Sequence, residues 1–343
     1  MSVPTIKDVA AAAGVSTAAV SLYLNDRAGI SQTTRDRIAA TIKSLGYVPR
    51  ANGRRSAGEG YVGMLVEELP LPIHSDHFYA QVLRGIHAEA ERLGYNLVLS
   101  VLDQTQGGLP RVVAEQHVAG LLAIGGGDIT DDLLNRLASE EIALVAVDNY
   151  SLSRHIDSVV TDDQAGAYLA TRHLIELGHR QIAMILGPEK YKPLVERYLG
   201  YRQALREAGI PIDEALMQPS ISRGMPRKGY REMQQLLTCD PPPTAVFAVT
   251  DRTALGALDA IYEHGLRVPD DISLIGFDDI APGAQARPPL STIHRPNYEM
   301  GVAAMRRLDT VITAQSLIPM KLVLYNDLVV RESTAPPPGD DRR

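Results

Sequence analysis

The sequence predicts an all-α helix-turn-helix head followed by an α/β body of two tandem doubly wound parallel sheets. The first observation is the stretch TIKDVAAAAGVSTAAVSLYLN at 5–25, whose spacing gives two short helices around a glycine. The second is that apolar runs alternate with amphipathic stretches from Tyr61 onward, which is typical of βαβ units. The third is that this alternation restarts at Ser158, which predicts a second sheet of the same kind.

Each helix of the predicted head has its own start or stop signal. Thr5 can cap the first helix, with the acidic Asp8 three residues later as its capping-box partner. Gly14 supplies the turn residue, and Ser16 can cap a second helix that ends at Asn25. Two short helices that meet at a tight corner in this way form a helix-turn-helix.

A third helix is predicted from a cap at Ser31 to a stop at Gly46. Its inward apolar residues are Ile38, Ile42 and Leu45, which close a small core with the other two helices. The outward face of the second helix is then free to enter a major groove. The residues predicted to contact DNA in and around it are Thr5, Ser16, Thr17, Ala18, Ser21, Leu22 and Asn25.

Charge is distributed unevenly along the chain. The formal net charge of −7 argues by itself against a nucleic-acid partner. Residues 1–56, however, contain eight Lys or Arg against three Asp, which makes +5, so the rest of the chain carries −12. A basic head on an acidic body is typical of a DNA-binding module joined to a domain with another task.

The segment after the head is predicted to be a linker, because 49–60 is polar, basic and glycine-bearing and Pro49 disfavours helix before it. The stretch APPPGDDRR at 335–343 is predicted to be a disordered tail. The predicted divisions are therefore the head at 1–48, the linker at 49–60, the body at 61–334 and the tail at 335–343.

The body divides into two runs of strands and helices. The first run has predicted strands at 61–66, 97–102, 121–124 and 143–148 and a helix at 78–93 that Gly94 ends. The second has strands at 158–162, 182–186, 245–250 and 273–279 and helices at 164–177, 193–208 and 251–264. The stretches 291–294, 298–311 and 322–324 are predicted to return across the cleft between the two sheets. Ligands bind in such clefts, at the carboxyl ends of the strands.

Composition and motifs exclude several classes of protein. The single cysteine, Cys239, cannot form an internal disulfide, and neither a leader nor a long apolar run is present, so we expect a cytoplasmic protein with no membrane partner. Nucleotide-phosphate loops, GxSxG, HExxH and CxxC motifs are absent. His74 and His77 lack a nearby third ligand, and the Asp162–Asp163 pair would face opposite ways in a strand. We therefore predict that the protein is not an enzyme and that it binds neither a cofactor nor a metal ion.

The motifs TIKDVA, AGVS, VS..LN and TR..I...I..LGY.P occur in this order, followed by later ones along nearly the whole chain. In these motifs the chain resembles the LacI/GalR (lactose/galactose repressor) family of bacterial transcription regulators. The resemblance implies a homodimeric, sequence-specific repressor of double-stranded operator DNA, nucleoid-associated when bound. It also implies an effector-binding and dimerisation domain at 61–334, crossed three times and hinged like a periplasmic binding protein. Its N-subdomain would cover 61–157 and 293–320, and its C-subdomain 158–290 and 321–334.

The resemblance also implies which residues of the cleft bind the effector. Arg197, in VERYLGYRQAL, matches the arginine that grips the effector in family members. Asp278, in LIGFDD, matches the effector-binding acid. Phe78 and Tyr79 lie where many members place an aromatic pair that stacks on the ligand. The alternatives are a surface arginine, a solvated loop acid and two core aromatic residues.

Asp148 and Thr250 complete the predicted effector site. Asp148 follows a strand, where its carboxylate could accept two sugar hydroxyls, or it is a solvated loop acid. Thr250 stands where the family often has asparagine, so it offers a hydroxyl instead of an amide. A sugar or sugar derivative is the predicted effector, because Asp, Arg and Thr with a flat aromatic face suit hydroxyl-rich ligands. A nucleobase or nucleoside is the alternative.

Two other classes of protein share parts of this pattern. A solute-binding protein, or a sugar-binding module without a DNA role, would have the two-lobed body but no helix-turn-helix. An enzyme acting on sugars would need an acid–base pair in the cleft. The predicted head argues against the first class, and the lack of a catalytic constellation argues against the second.

The DNA-binding end departs from the family pattern. Leu22 stands where relatives usually carry an arginine, and it could meet a thymine methyl group instead of a guanine. In the linker, Ser56 replaces the leucine that relatives wedge into the minor groove. We therefore expect the linker to bind DNA through Arg50, Arg54 and Arg55 with little intercalation.

Overall fold

The computed structural model describes residues 6–24, 29–45, 60–67, 76–102, 110, 113, 118–140, 142–219, 228–314 and 318–339. The chain divides into two compact units, residues 1–59 and 60–343. Within the described ranges, no helix is both long enough and apolar enough to cross a membrane.

The described part of the first unit forms three helices, α1 (Ile6–Ala13), α2 (Thr17–Leu24) and α3 (Gln32–Leu45). Gly14 has a left-handed φ of 61° at the corner between α1 and α2. The Ser16 hydroxyl accepts a bond from the Ala19 amide at 3.2 Å, so Ser16 caps α2 as predicted. The helix-turn-helix read from the sequence is confirmed.

A small apolar core joins the three helices. Its buried members are Val9, Ala10, Ala13, Val20 and Ile38, and Ile42 packs partly buried against them. The prediction that Leu45 points inward is wrong, because its side chain is 37% exposed in the last turn of α3. Thr5, Asn25, Gly46, Arg50, Arg54, Arg55 and Ser56 lie outside the described residues.

The residues that the structure describes in the second unit form the strands and helices given next, in alternation. Its strands are β1 (Tyr61–Val66), β2 (Asn96–Val101), β3 (Gly120–Ile124), β4 (Ala143–Val147), β5 (Asp157–Thr161), β6 (Ile182–Ile185), β7 (Met217–Gln218), β8 (Ala245–Ala248), β9 (Ser273–Ile275), β10 (Thr292–His294), β11 (Lys321–Leu324) and β12 (Asp327–Val329). Its helices are α4 (His77–Leu93), α5 (Asp131–Ser139), α6 (Asp163–Glu176), α7 (Lys192–Glu207), α8 (Tyr230–Leu236), α9 (Asp251–Glu263), α10 (Ala281–Ala284) and α11 (Asn297–Thr313).

Two parallel sheets form, as the sequence predicts. The six-stranded sheet has the order β11-β5-β4-β3-β1-β2 and, with the helices packed on it, is called the first lobe. The four-stranded sheet has the order β7-β6-β8-β9 and, with its helices, is called the second lobe. An antiparallel pair, β10 and β12, accompanies them. Buried apolar clusters cover both faces of each sheet, which explains the near-continuous apolar runs in the strands.

The prediction that 158–162 begins the second sheet is wrong. β5 pairs in parallel with β4, Val147 opposite Val159, and therefore belongs to the first sheet. β11, which the sequence places with the second subdomain, extends the same sheet by pairing with β5, Val323 opposite Val160. The physical reason is that a short apolar run fits the interior of either sheet, so its pattern does not specify its partner.

The start of the tail is ordered, contrary to the prediction of disorder from residue 335. The Ala335 carbonyl accepts bonds from Ser273 Oγ at 2.9 Å and from His179 Nε2 at 2.8 Å. The Ala335 amide donates back to Ser273 Oγ at 3.0 Å. A buried histidine and serine thus satisfy the backbone of a segment whose composition alone suggests no order.

Close helix contact in the first lobe depends on two glycines. A Cβ on Gly301 of α11 would lie 2.1 Å from the Val82 carbonyl oxygen of α4. A Cβ on Gly85 of α4 would lie 2.0 Å from the Tyr298 carbonyl oxygen. Both helices therefore need a residue without a side chain where they cross.

We expect Gly301→Ala to lower the free energy of unfolding by about 1–3 kcal/mol, because the added methyl group forces α4 and α11 apart. The loss should occur although alanine favours helix over glycine by about 1 kcal/mol. Gly339→Ala is the control, since nothing lies within 4 Å of its added Cβ. Equal denaturant midpoints for the two variants would contradict this packing.

Candidate functional site: the cleft between the lobes

Three short segments connect the two lobes. They run from β5 to α6, from β10 to α11 and from β11 to β12. The carboxyl ends of β4, β5 and β9 lie beside these segments and supply most polar groups of the cleft. Asn326, on the third segment, donates to the Asp162 carbonyl on the first at 2.9 Å. The connections are therefore bonded to each other as well as to the lobes.

Arg295, on the second segment, lies at the centre of the cleft floor and is 4% exposed. Its Nε and Nη2 donate to Thr161 Oγ1 at 3.0 and 2.9 Å. Nη2 also contacts the Asp148 carboxylate and lies 3.5 Å from Asp163 Oδ2, while Nη1 lies 3.8 Å from Asp278 Oδ1. One guanidinium thus contacts acids of both lobes.

Arg197 of α7 is 2% exposed, so it is not a surface arginine. Its Nε donates to Asp163 Oδ1 at 2.7 Å, its Nη1 to the Val249 carbonyl at 2.6 Å and its Nη2 to Asp278 Oδ1 at 3.2 Å. Its guanidinium also lies 3.7 Å from the centre of the Phe277 ring. All three nitrogens have partners within the second lobe, which fixes Asp278 in place.

The two candidate effector acids have unusual backbone conformations. Asp148 has φ 57° and Asp278 has φ 113°, in the region that non-glycine residues rarely adopt. Such conformations persist where the surroundings hold them and are concentrated at functional sites. Here the side chains of Arg295 and Arg197 supply that hold.

Burial raises the pKa of both acids. Desolvation raises the pKa of Asp148 from 3.8 to about 6, although Arg295 opposes it, while neighbouring Asp163 raises it further and Arg197 lowers it. Desolvation likewise raises the pKa of Asp278, against the charges of Arg197 and Arg295. The two guanidinium groups of the cleft floor therefore do not fully offset the cost of burying the charged carboxylates.

The other predicted effector residues have different surroundings. Phe78 is half-buried, and the Arg295 guanidinium lies 5.3 Å from the centre of its ring. Tyr79 is 4% exposed and donates its hydroxyl to Glu67 Oε1 at 3.1 Å, so it is part of the first-lobe core. Thr250 caps α9, its hydroxyl accepting from the Thr253 amide at 3.2 Å. Phe78 is thus the one of the three beside the Arg295 network.

Polar contacts also join the rims of the two lobes. Lys190 Nζ lies 2.7 Å from Asp128 Oδ1, and Tyr150 donates its hydroxyl to Glu196 Oε1 at 2.7 Å. Further contacts between the rims join Lys192 to Asp131, to Asn149 and to the Tyr150 carbonyl, and Arg252 to Asp76. The described lobes are therefore in contact across the cleft, in a closed conformation.

The cleft also contains residues that the sequence pattern did not predict, namely Arg295, Asp163, Tyr150 and the lysines of the segment EKYK at 189–192. The sequence does contain a weak signal for Arg295, because this charged residue stands between a predicted strand and Pro296. A solvent-exposed turn is the ordinary interpretation of a charged residue at such a position. The lysines gave no signal, since surface lysines are common and their polar partners Asp128 and Asn149 lie more than forty residues away in sequence.

The DNA-facing candidates are described in part. Ser16, Thr17 and Ala18 are exposed at the beginning of α2, as a groove-reading helix requires. Leu22 is half-buried, and its Cδ1 lies 3.3 Å from the position of a Cβ on Gly29. Ser21 lies on α2, but its side chain is outside the described set.

Two family models match the chain. The model for bacterial regulatory proteins of the lacI family matches residues 5–50, and that for a periplasmic binding protein-like domain matches residues 171–334. The HTH-type transcriptional repressor PurR of Histophilus somni is 34% identical over 96% of this chain and 98% of its own length.

Two solved structures are similar over nearly the whole chain. The complex of the transcriptional regulator CelR with cellobiose superposes with a TM-score of 0.72 at 33% identity, covering 96% of this chain and 99% of that one. The lac repressor dimer bound to operator and the anti-inducer ONPF superposes with a TM-score of 0.70 at 26% identity, covering 97% and 100%.

The helix-turn-helix, the two-lobed body and the relatives, which are transcriptional regulators, together define a DNA-binding transcriptional regulator. The chain belongs to the LacI family.

We expect acid to favour the closed cleft. Opening rehydrates Asp148 and returns its pKa toward 3.8, so the closed form, with a pKa of about 6, binds the proton more tightly. Lowering the pH from 7.5 to 5.5 should therefore raise the closed-to-open ratio about fourfold. Burial raises the pKa of Asp278 and Glu196 as well, which acts in the same direction.

The ratio can be measured as a distance between spin labels on the exposed positions Glu140 of the first lobe and Arg206 of the second, in Cys239→Ser protein. Labelled chains are diluted with unlabelled ones so that only distances within a chain are seen. Asp148→Asn should reduce the pH response. A distance distribution that opens on acidification would contradict the assignment.

Proposed function

We propose that this chain is a homodimeric repressor that binds operator DNA through its helix-turn-helix and is controlled by a sugar or sugar derivative bound in the cleft. The observation that carries the ligand proposal is the combination of Asp148 and Asp278 at strand ends with the ring of Phe78 nearby. Carboxylates accept hydrogen bonds from vicinal hydroxyls, and an aromatic face suits the apolar side of a sugar ring.

The DNA proposal rests on the head. Ser16, Thr17 and Ala18 are small and exposed, so α2 can approach base edges closely. One small module makes few base contacts, and two-fold operators match two-fold proteins, which favours a dimer. The lac repressor relative is a dimer on its operator, in agreement with this proposal.

The mechanism proposed for control is a population shift. A ligand that binds acids of both lobes favours the closed cleft and can change DNA affinity only by the difference of its affinities for the two forms. In a dimer, closure would rotate one lobe against the other and change how the two heads are presented to DNA. The CelR relative, solved with cellobiose, supports a sugar as the class of effector.

The DNA proposal is tested by fluorescence anisotropy with duplexes from the region upstream of the protein's own gene. We expect affinity to fall steeply as salt rises, because the basic head releases counterions on binding phosphates. A scrambled duplex of equal length is the control. Equal affinity for both duplexes at every salt concentration would exclude a sequence-specific repressor.

The ligand proposal is tested by a thermal-shift screen of sugars, sugar derivatives, nucleobases and nucleosides. A ligand at a hundred times its Kd stabilises the protein by about 2.7 kcal/mol. We expect a sugar to raise the melting temperature and Asp278→Asn to abolish that shift. Asp270→Asn, a surface acid of the same lobe paired with Arg267, is the matched control and should keep it. A shift with nucleobases and none with sugars would overturn the sugar assignment.

A further inference from the structure

We propose that Arg295 is a positioning residue that holds Asp148 of the first lobe and Asp278 of the second at a fixed spacing, so that a ligand of both acids binds only closed lobes. The inference rests on the proposed function in one respect, namely that these two acids contact the effector. It adds a residue that determines both the fit of the ligand and the closure of the cleft.

The location of Arg295 is the first argument. It lies on a segment that connects the lobes, between β10 and α11, rather than in either lobe. Its side chain is 3% exposed, and two bonds to Thr161 Oγ1 fix it against the end of β5, where another connecting segment begins. A guanidinium held in this way presents its remaining donors in fixed directions.

The distribution of charge is the second argument. The carboxylates of Asp148, Asp163 and Asp278 share the guanidiniums of Arg197 and Arg295. Arg197 forms ion pairs with acids of the second lobe. Among the described residues, Asp148 of the first lobe forms its ion pair with Arg295. Removal of Arg295 would take from Asp148 the arginine that pairs with it and leave the three carboxylates with less compensating positive charge, so mutual repulsion would push the lobes apart.

The direction of the lobe motion gives the third argument. Asp148 moves with the first sheet, Asp278 with the second, and Arg295 with the connection between them. Rotation of one lobe about the connecting segments must therefore lengthen a contact of Arg295. The 3.8 Å distance to Asp278 is the longest and is the contact that opening would lose first.

The contacts between the rims explain closure of the cleft less well than the contacts of Arg295 do. Lys190 is 29% exposed in its pair with Asp128, and Arg252 is 41% exposed in its pair with Asp76. Solvent screens pairs of this kind, and they contribute little. The Arg295 side chain is 3% exposed, so its contacts are screened much less.

The test is the distance between spin labels at Glu140 and Arg206, measured without ligand or DNA in full-length Arg295→Gln protein. We expect the closed population to fall by about tenfold, because a charge-assisted contact across the cleft is lost. Arg307→Gln is the matched control. Arg307 Nε lies 2.7 Å from Asp157 Oδ1, and both residues are in the first lobe, so this variant should lose stability while keeping the distance of the native protein.

Lysine variants extend the test. Arg295→Lys keeps the charge and loses the planar fork, so its closed population should lie between those of the native protein and Arg295→Gln, whereas Arg307→Lys should match the native protein. If Arg295→Gln does not fold, as judged by circular dichroism, this lysine pair decides. A native distance distribution in folded Arg295→Gln, or in Arg295→Lys where only that variant folds, would overturn the proposal.

The readout is independent of the proposed function. A protein that binds no sugar and no operator would still show whether Arg295 holds the lobes together. Conversely, an unchanged distance would leave the repressor assignment intact and remove only the role of Arg295. A merely structural role would lower the melting temperature of the Arg295 and Arg307 variants alike without separating their distances.

Discussion

The sharing of three buried carboxylates by two buried guanidiniums is the interaction on which the cleft depends. Asp163 is 1% exposed and contacts both Arg197 and Arg295, so it joins the two cations into one network. Removing one partner of a buried ion pair typically costs about 3–5 kcal/mol, because the remaining charge stays away from water. Buried ion pairs therefore stabilise the arrangement of the connecting segments.

This network explains why the strand ends carry aspartates in a strained conformation. Asp148 and Asp278 both have positive φ, and each accepts from, or pairs with, an arginine that another element positions. The strain and the desolvation oppose folding, and the bonds to arginine offset them. Acids held in this way face the cleft with a fixed geometry, which favours recognition of a ligand over a purely structural role.

Much of the fold could be predicted from the sequence. The start of α2 at the Ser16 cap and the end of α4 at Gly94 agree with the prediction, because caps and left-handed glycines act locally. The sequence could not predict which of the two sheets contains β5, since strand pairing depends on contacts between residues far apart in the chain. The start of the tail was also beyond prediction, because Ala335 is ordered by residues far away in sequence.

The site could be predicted in part. Asp148 and Asp278 lie in the cleft because strand ends meet there, whereas Tyr79 is turned into the core by its bond to Glu67. The position of Arg295 before Pro296 is a weak signal in the sequence, whereas the role of Lys190 follows only from its partner Asp128 across the cleft. A charged residue in a sequence does not by itself indicate whether its side chain will contact solvent or the opposite lobe.

In the proposed mechanism, closure of the lobes changes the affinity of the head for DNA. It is tested most directly by fixing the closed form without a ligand. In Cys239→Ser protein, Asp128→Cys and Lys190→Cys place thiols on opposite rims, where a short bifunctional maleimide can join them. Affinity for the upstream duplex is then compared with that of the same protein capped by a monofunctional maleimide. If closure controls DNA binding, the two affinities should differ by about tenfold or more; equal affinities would show that closure leaves DNA binding unchanged.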